Sequence, residues 1–313
     1  MATNRQRPAV PRFFLALLFS VALLTIFLHS SAQPSPKKLR VVTTIFPIYC
    51  FASGVIGSEG DVQNLLPPNV GPHDYQLSPS DLRKLKEADV IILNGLALDN
   101  WVAKAIDPNK KQKVIVLGDL LKKDQLIVSS TDLDIDGKHA HGHEHQHGPA
   151  NPHIWLNPQL AAQCVSNIVT AIGGMNPAYA KNGETYVARL TQLDMDLETQ
   201  LAPVREKAFI TQHDAFPYFV ARFKLKQVGI LEPTPDVSPS PRFLADLLKV
   251  IREKKVQVIF NDPRSSPRLA KQVARDAKIR TAELDTLESG KLDPTGYETG
   301  MRRDAAILVR ELK

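Results

Sequence analysis

Three histidines, His73, His153 and His213, stand in stretches typical of a folded protein. Each is next to a predicted strand end or in a proline-rich loop, within residues 71–75 (GPHDY), 151–155 (NPHIW) and 212–215 (QHDA). A single histidine in such a place is more often structural than a ligand. Three at comparable positions favour one shared site, because neutral imidazole is a common ligand of divalent metals.

Carboxylates follow predicted strands of the same kind. Asp285 comes directly after the strand predicted at residues 280–284, and Asn261 and Asp262 follow the strand predicted at 256–260. In open α/β sheets, ligands bind beyond the carboxyl ends of the strands. Three imidazoles and one carboxylate suit a four-coordinate divalent ion, with zinc as the first choice. We therefore predict a metal site with four ligands: His73, His153, His213 and Asp285.

A second group of histidines lies in a polar, glycine-containing segment over residues 129–152, which is predicted to be a loop. Residues 143–147 (HEHQH) match the zinc-protease pattern H-E-x-x-H, but that pattern requires a helix and no apolar helix face is present. Alternating histidines suit weak, auxiliary metal capture; an inert solvated spacer is the alternative. These histidines are His139, His141, His143, His145 and His147.

The beginning of the chain predicts a secretory signal peptide over residues 1–32. A basic stretch precedes an uncharged run at residues 13–28, and small residues precede a predicted cleavage after Ala32. An uncleaved membrane anchor is the alternative, although the run is short for a span of about 20 residues. We therefore expect a periplasmic protein. Removal of the segment lowers the formal net charge of +6, and the remaining lysines are scattered, so nucleic acid is not an expected partner.

The rest of the chain alternates strand and helix patterns, which predicts an α/β fold with two similar (β/α)4-type lobes. The N-terminal lobe is predicted over residues 33–157 and the C-terminal lobe over 205–313. Linking helices are predicted between them at 158–204, including a 25-residue helix at 177–201 with apolar residues spaced on one face. We expect this helix to act as a rigid strut, and an ordinary long helix within one lobe is the alternative. The strands are predicted at residues 40–46, 62–66, 90–93, 114–117, 208–211, 227–231, 256–260 and 280–284, and a helix is predicted at 97–106.

Two cysteines, Cys50 and Cys164, are present. In an oxidising compartment they could form a disulfide, and they could equally be two buried thiols. The sequence leaves both alternatives open.

Several segments together resemble the metal-binding solute-binding proteins of zinc and manganese ABC transporters. The resemblance extends from about residue 39 to residue 313. It implies two α/β lobes joined by a long rigid helix, with the metal between them. It also implies that His73, His153 and His213 match the family's histidine ligands and Asp285 its carboxylate. The segments are residues 41–47 (VVTTIFP), 72–81 (PHDYQLSPSD), 88–95 (ADVIILNG), 151–158 (NPHIWLNP), 213–219 (HDAFPYF), 239–241 (PSP) and 284–285 (LD).

Some positions depart from the family's pattern in ways that remove negative charge around the predicted site. Asn151 and Asn157 stand where Asp is common, Gln76 replaces a frequent Glu, and Asn261-Asp262 stands where Glu-Pro is usual. His213 stands where the manganese proteins commonly have Glu, and a further nitrogen ligand favours zinc.

The resemblance implies a function in which the protein captures Zn(II) outside the cytoplasm and delivers it to an ABC permease, as a monomer. Manganese transport is the alternative within this class, and a metal buffer without a transporter is a second. A zinc-dependent hydrolase is the alternative from another class. Enzyme function is not expected, because no nucleophile accompanied by a base at a recognisable spacing was found.

Overall fold

The computed structural model describes residue 1 and residues 38–73, 75–128, 150–232 and 238–313. The predicted signal peptide and the five closely spaced histidines lie outside these residues, so those predictions stay predictions. Among the described helices, none combines the length and the apolar character needed to cross a membrane.

The first half of the chain forms a four-stranded parallel sheet with the order β2-β1-β3-β4. All four residues of β3, VIIL, are buried, as is typical of a central parallel strand covered on both faces. The strands are β1 (Leu39–Thr43), β2 (Gly60–Asn64), β3 (Val90–Leu93) and β4 (Lys113–Val116). The helices are α1 (Phe46–Ile56), α2 (Pro79–Glu87) and α3 (Asn100–Ala103).

The second half repeats this arrangement in another four-stranded parallel sheet, with the order β6-β5-β7-β8. The predicted α/β class with two parallel sheets is thereby confirmed. Helices α4 (Pro158–Ile172) and α5 (Pro177–Leu201) precede this sheet in the chain. The strands are β5 (Ala208–Thr211), β6 (Lys226–Ile230), β7 (Val258–Asn261) and β8 (Arg280–Glu283). The helices are α6 (Pro217–Phe223), α7 (Pro241–Glu253), α8 (Arg268–Ala277) and α9 (Gly296–Leu312).

Helices α4 (Pro158–Ile172) and α5 (Pro177–Leu201) lie between the sheets in the sequence, at the predicted positions. Asparagine side chains cap both N-termini, where Asn157 accepts from Gln159 and Asn176 accepts from Ala178. With 25 residues, α5 is about 37 Å long. Its role as a rigid strut and the lobe boundaries at residues 157 and 205 stay predictions.

The buried face of α5 joins a hydrophobic core that includes residues of both sheets, among them Val41 and Phe209. Gly54 of α1 lies so close to α5 that an added Cβ would be 2.3 Å from the Tyr186 ring. The residues that form this face are Tyr186, Leu190, Leu193, Leu197 and Leu201.

Local geometry changes two predicted elements. The strand predicted at residues 40–46 ends at Thr43, because Phe46 already begins α1 with Pro47 in the first turn, where a missing N–H does no harm. The helix predicted at 97–106 is reduced to Asn100–Ala103, because Leu96 and Ala97 have positive φ angles of 54° and 66°. Cys50 and Cys164 are both free and buried.

Candidate metal centre

Four side chains converge beyond the carboxyl ends of strands. His73 follows β2, His153 follows β4 and precedes α4, His213 follows β5, and Glu288 follows β8. Each offers one ligand atom, and these atoms all lie within 4.8 Å of one another. The three predicted histidines therefore come together, although they are far apart in the sequence.

The carboxylate of Glu288 is the centre of this cluster. Its Oε1 atom lies 2.8 Å from Nε2 of His153, 3.4 Å from Nε2 of His73 and 3.7 Å from Nε2 of His213. Neighbouring ligands in a tetrahedral zinc site with bonds of 2.0–2.1 Å are about 3.3 Å apart. The spacing around Glu288 is therefore close to that of a zinc coordination shell.

Burial and the neighbouring histidines shift the pKa of Glu288 in opposite directions. The side chain of Glu288 is 6% exposed. Burial alone would raise the pKa of its carboxyl, but the close contacts with His153, His213 and His73 hold that pKa well below the usual value. The cluster therefore keeps a buried negative charge among nitrogen atoms.

The histidines differ in their surroundings. Burial lowers the pKa of His153 to about 4 despite the opposing attraction of Glu288, so its ring is neutral at pH 7. Burial also acts to lower the pKa of His213, but Glu288, Asp262 and Asp214 together raise it above the ordinary value. His73 is the most accessible of the three, with 31% of its side chain exposed against 3% and 16%.

A cavity of about 350 Å³ opens onto the cluster. His73, His213 and Glu288 line it, together with the carboxylates of Glu232 and Asp262. An ion from solvent would therefore approach the cluster between acidic side chains and meet the accessible His73.

The prediction that Asp285 supplies the carboxylate is corrected by the structure, which brings Glu288 to the histidines instead. Asp285 is held by two arginines, since its Oδ1 accepts from Arg264 and its Oδ2 accepts from Arg303 at 2.6 Å. Its Oδ1 also accepts the backbone N–H of Leu287 at 2.8 Å. These contacts turn the carboxylate away from the cluster.

Leu287 explains how the next residue reaches the site. Its φ angle is 58°, in the left-handed region that a leucine rarely adopts, and its side chain is buried against Gly300. The left-handed residue changes the direction of the backbone just before Glu288, whose carboxylate lies in the cluster. The sequence signal that could have revealed Glu288 is a second carboxylate in the same polar loop, but its direction depends on this turn.

Arg264 ties that loop to the end of β7. Its guanidinium donates to Asp262 Oδ2 at 3.2 Å, to Thr286 Oγ1 at 3.0 Å and to the Ser289 carbonyl at 3.0 Å, in addition to Asp285. Only 17% of its side chain is exposed. A partly buried guanidinium with several hydrogen bonds thus holds the residues on both sides of Glu288.

The chain is similar to proteins of one family over most of its length. The profile of the family described as "ZnuA: Zinc-uptake complex component A periplasmic" matches residues 41–311. The chain is 36% identical over 265 residues to the high-affinity zinc uptake system protein ZnuA of Bacillus subtilis, covering 82% of this chain and 81% of that protein.

A longer relative is the zinc-binding protein AdcA of Streptococcus pyogenes serotype M6, with 32% identity over 287 residues. The match covers 87% of this chain but 56% of AdcA, so the chain spans about half the length of that relative. The crystal structure of Zn(II)-bound AdcA from Streptococcus pneumoniae is similar with a TM-score of 0.69 and 29% identity, covering 88% of this chain and 58% of that one.

Replacement of Arg264 by methionine is expected to destabilise the metal-free protein by about 3–5 kcal/mol, because it leaves the buried Asp262 without its charged partner and removes one of the two arginines that hold Asp285. Urea unfolding measures the change. Arg302→Met is the matched control, since Arg302 is 48% exposed and pairs with Asp196 at the surface, where such a pair contributes about 0–1 kcal/mol. Equal losses in the two variants would contradict a structural role for the Arg264 contacts.

Proposed function

Because the chain belongs to the ZnuA family of periplasmic zinc-uptake components, we propose that it binds Zn(II) outside the cytoplasm and delivers it to an ABC permease. The observation that carries the proposal is the convergence of three imidazole Nε2 atoms on one buried carboxylate. The zinc-binding relatives support the choice of metal.

We propose His73, His153, His213 and Glu288 as the zinc ligands. Three nitrogens and one oxygen match the borderline-soft character of Zn²⁺, whereas Mn²⁺ prefers a site richer in oxygen. The carboxylate neutralises half of the ion's charge, and the neutral ring of His153 needs no proton removed before binding. Zinc is thus favoured over manganese by the ligand set as well as by the family.

Binding without catalysis is the activity that this ligand set favours. A catalytic zinc site keeps a coordination position open for water or substrate, usually beside three protein ligands. Here Glu288 would complete a tetrahedral shell, so a hydrolase would lack the position where its reactive water forms. The family's description as an uptake component supports the same conclusion.

The transport role also requires the protein to leave the cytoplasm and to meet a membrane partner. We propose that residues 1–32 act as the signal peptide and that the mature protein is a periplasmic monomer. The five histidines at 139–147 would bind zinc weakly and raise its local concentration, without contributing to the tight site.

Substitution of any proposed ligand is expected to abolish tight zinc binding. His73→Ala, His153→Ala and His213→Ala each remove one bond, and Glu288→Gln removes the anionic ligand with little change of shape. Competitive titration against a zinc chelator, with metal analysis of the purified protein, measures the loss.

Glu232→Gln is the matched control for Glu288→Gln, because Glu232 lines the same cavity but is outside the cluster. It should keep one tight zinc. Asp285→Asn should keep it as well, since an asparagine oxygen still accepts the Leu287 N–H. The proposal that Glu288 is the carboxylate ligand would be refuted if the Glu288→Gln protein kept full zinc affinity. It would also be refuted if Asp285→Asn lost tight zinc binding and Glu288→Gln did not.

Zinc affinity is expected to fall as the pH is lowered from 8 to 5. The raised pKa of His213 means that, below this pKa, the metal-free protein carries a proton that zinc must displace, which costs about tenfold in affinity per pH unit. His153 adds no proton until pH approaches 4, and Glu288 remains ionised throughout this range. Chelator competition at each pH measures how steeply the zinc affinity depends on pH. An affinity that does not change between pH 8 and pH 5 would disprove the assignment of His213 as a ligand.

Deletion of residues 137–148 is expected to remove the weak zinc equivalents and leave the tight one unchanged. Calorimetric titration separates the two classes in the full-length and shortened mature proteins. A large loss of affinity at the tight site would show that the histidine-rich segment supplies a ligand to it.

A further inference from the structure

Asn151 contacts His153 in a way that fixes the orientation of both side chains. The Oδ1 atom of Asn151 accepts the backbone N–H of His153 at 3.0 Å and lies 2.9 Å from Nδ1 of the His153 ring. Asn151 is 1% exposed and the His153 side chain is 3% exposed, so both contacts are shielded from water.

The partners of the amide determine which of its ends is the oxygen. A backbone N–H can only donate, so the atom that receives it from His153 must be Oδ1. The other end, Nδ2, faces the Asp214 carbonyl at 2.7 Å and its carboxylate Oδ2 at 3.1 Å, both of which accept. The two ends therefore agree on a single orientation of the amide.

This orientation dictates the tautomer of His153. Since Oδ1 can only accept, Nδ1 of the ring must carry the hydrogen, and Nε2 of the neutral ring then has a free electron pair. That pair points at Glu288 Oε1, 2.8 Å away. Two electron-rich atoms at this distance repel each other unless a cation, either a proton or a metal ion, lies between them, so Nε2 faces the position that a zinc ion would occupy.

Asp214 adds a connection between the two sheets. It directly follows His213, beyond β5, whereas Asn151 lies in the segment between β4 and α4. The Asn151–Asp214 contact therefore joins the loop that carries one histidine of the cluster to the loop that carries another.

We propose that Asn151 is a positioning residue for metal binding, which holds His153 in the Nδ1–H tautomer and is itself oriented by Asp214. The inference rests on the proposed zinc function for its effect on affinity. The tautomer, however, is a property of the metal-free protein and can be measured on its own.

Asn151→Leu tests the proposal, because leucine is of similar size but cannot accept from Nδ1. We expect zinc affinity to fall about 10- to 100-fold, the usual effect of losing such a partner. Long-range ¹H–¹⁵N correlation spectra of the metal-free protein identify the tautomer, at a pH above that at which His153 is protonated. In the wild type, His153 should be the Nδ1–H tautomer. The Asn151→Leu protein should show the Nε2–H form.

Asn157→Leu is the matched control. Asn157 lies in the same segment, but its side chain caps α4 by accepting from the Gln159 N–H. This variant should keep the wild-type zinc affinity and tautomer. An Nε2–H tautomer in the wild type, or unchanged zinc affinity in Asn151→Leu, would overturn the proposal. A wild type that shows the Nδ1–H tautomer but binds no zinc would refute the proposed function alone.

An exchange of the two side chains tests the role of Asp214. Asn151→Asp keeps an acceptor for His153 and should retain the Nδ1–H tautomer, but its carboxylate then faces that of Asp214. We expect a lower unfolding temperature for this variant, measured without metal at pH 8. Adding Asp214→Asn supplies a donor from the other side and should restore part of it, because the Asp214 backbone carbonyl still faces the side chain at position 151. If the changes in unfolding temperature caused by the two substitutions simply add, the proposed contact between Asn151 and Asp214 would be refuted.

Discussion

A buried carboxylate needs nearby positive charge or hydrogen-bond donors, and in this protein the need is concentrated at Glu288. Removing an ion from water costs several kcal/mol, even after the surroundings relax. Three imidazoles meet this cost in the metal-free protein, where their contacts keep Glu288 ionised. Nε2 of His153 lies closest to the carboxylate, at 2.8 Å, where a cation can lie between the two atoms. A divalent ion in that position would satisfy the carboxylate and all three rings together.

The parallel sheets make such a cluster possible, because each brings the carboxyl ends of its strands to one edge. The same strand order occurs twice, so each sheet contributes two of the four side chains: His73 and His153 from the first, and His213 and Glu288 from the second. Contacts outside the cluster then set the direction of the side chains. Asn151 orients one ring, and Arg264 holds the loop on both sides of Glu288.

Much of this could be predicted from the sequence. The buried parallel strands, the linking helices at 158–172 and 177–201, and the three histidines follow from residue pattern and position at strand ends. The carboxylate could not be predicted in the same way. Asp285 directly follows the predicted strand, whereas Glu288 reaches the histidines only because Leu287 adopts a left-handed conformation. That conformation depends on the packing of Leu287 against Gly300, which is a tertiary contact, and on the local bond from its N–H to Asp285. The side chain of Asp285 is in turn held by Arg264 and Arg303.

The origin of the ligands in two sheets bears on how a captured ion could be released. Zinc–nitrogen bonds are about 2.0–2.1 Å long and tolerate deviations of only a few tenths of an ångström. A displacement of about 1 Å between the sheets would therefore be enough to break bonds to one pair of ligands while the other pair stays in place. The buried face of α5 packs into the core shared by both sheets, which opposes larger motions. A small shift at the contact between the loops, where Asn151 meets Asp214, would be enough to release the ion. Such a shift disrupts the core less than a wide opening of the molecule.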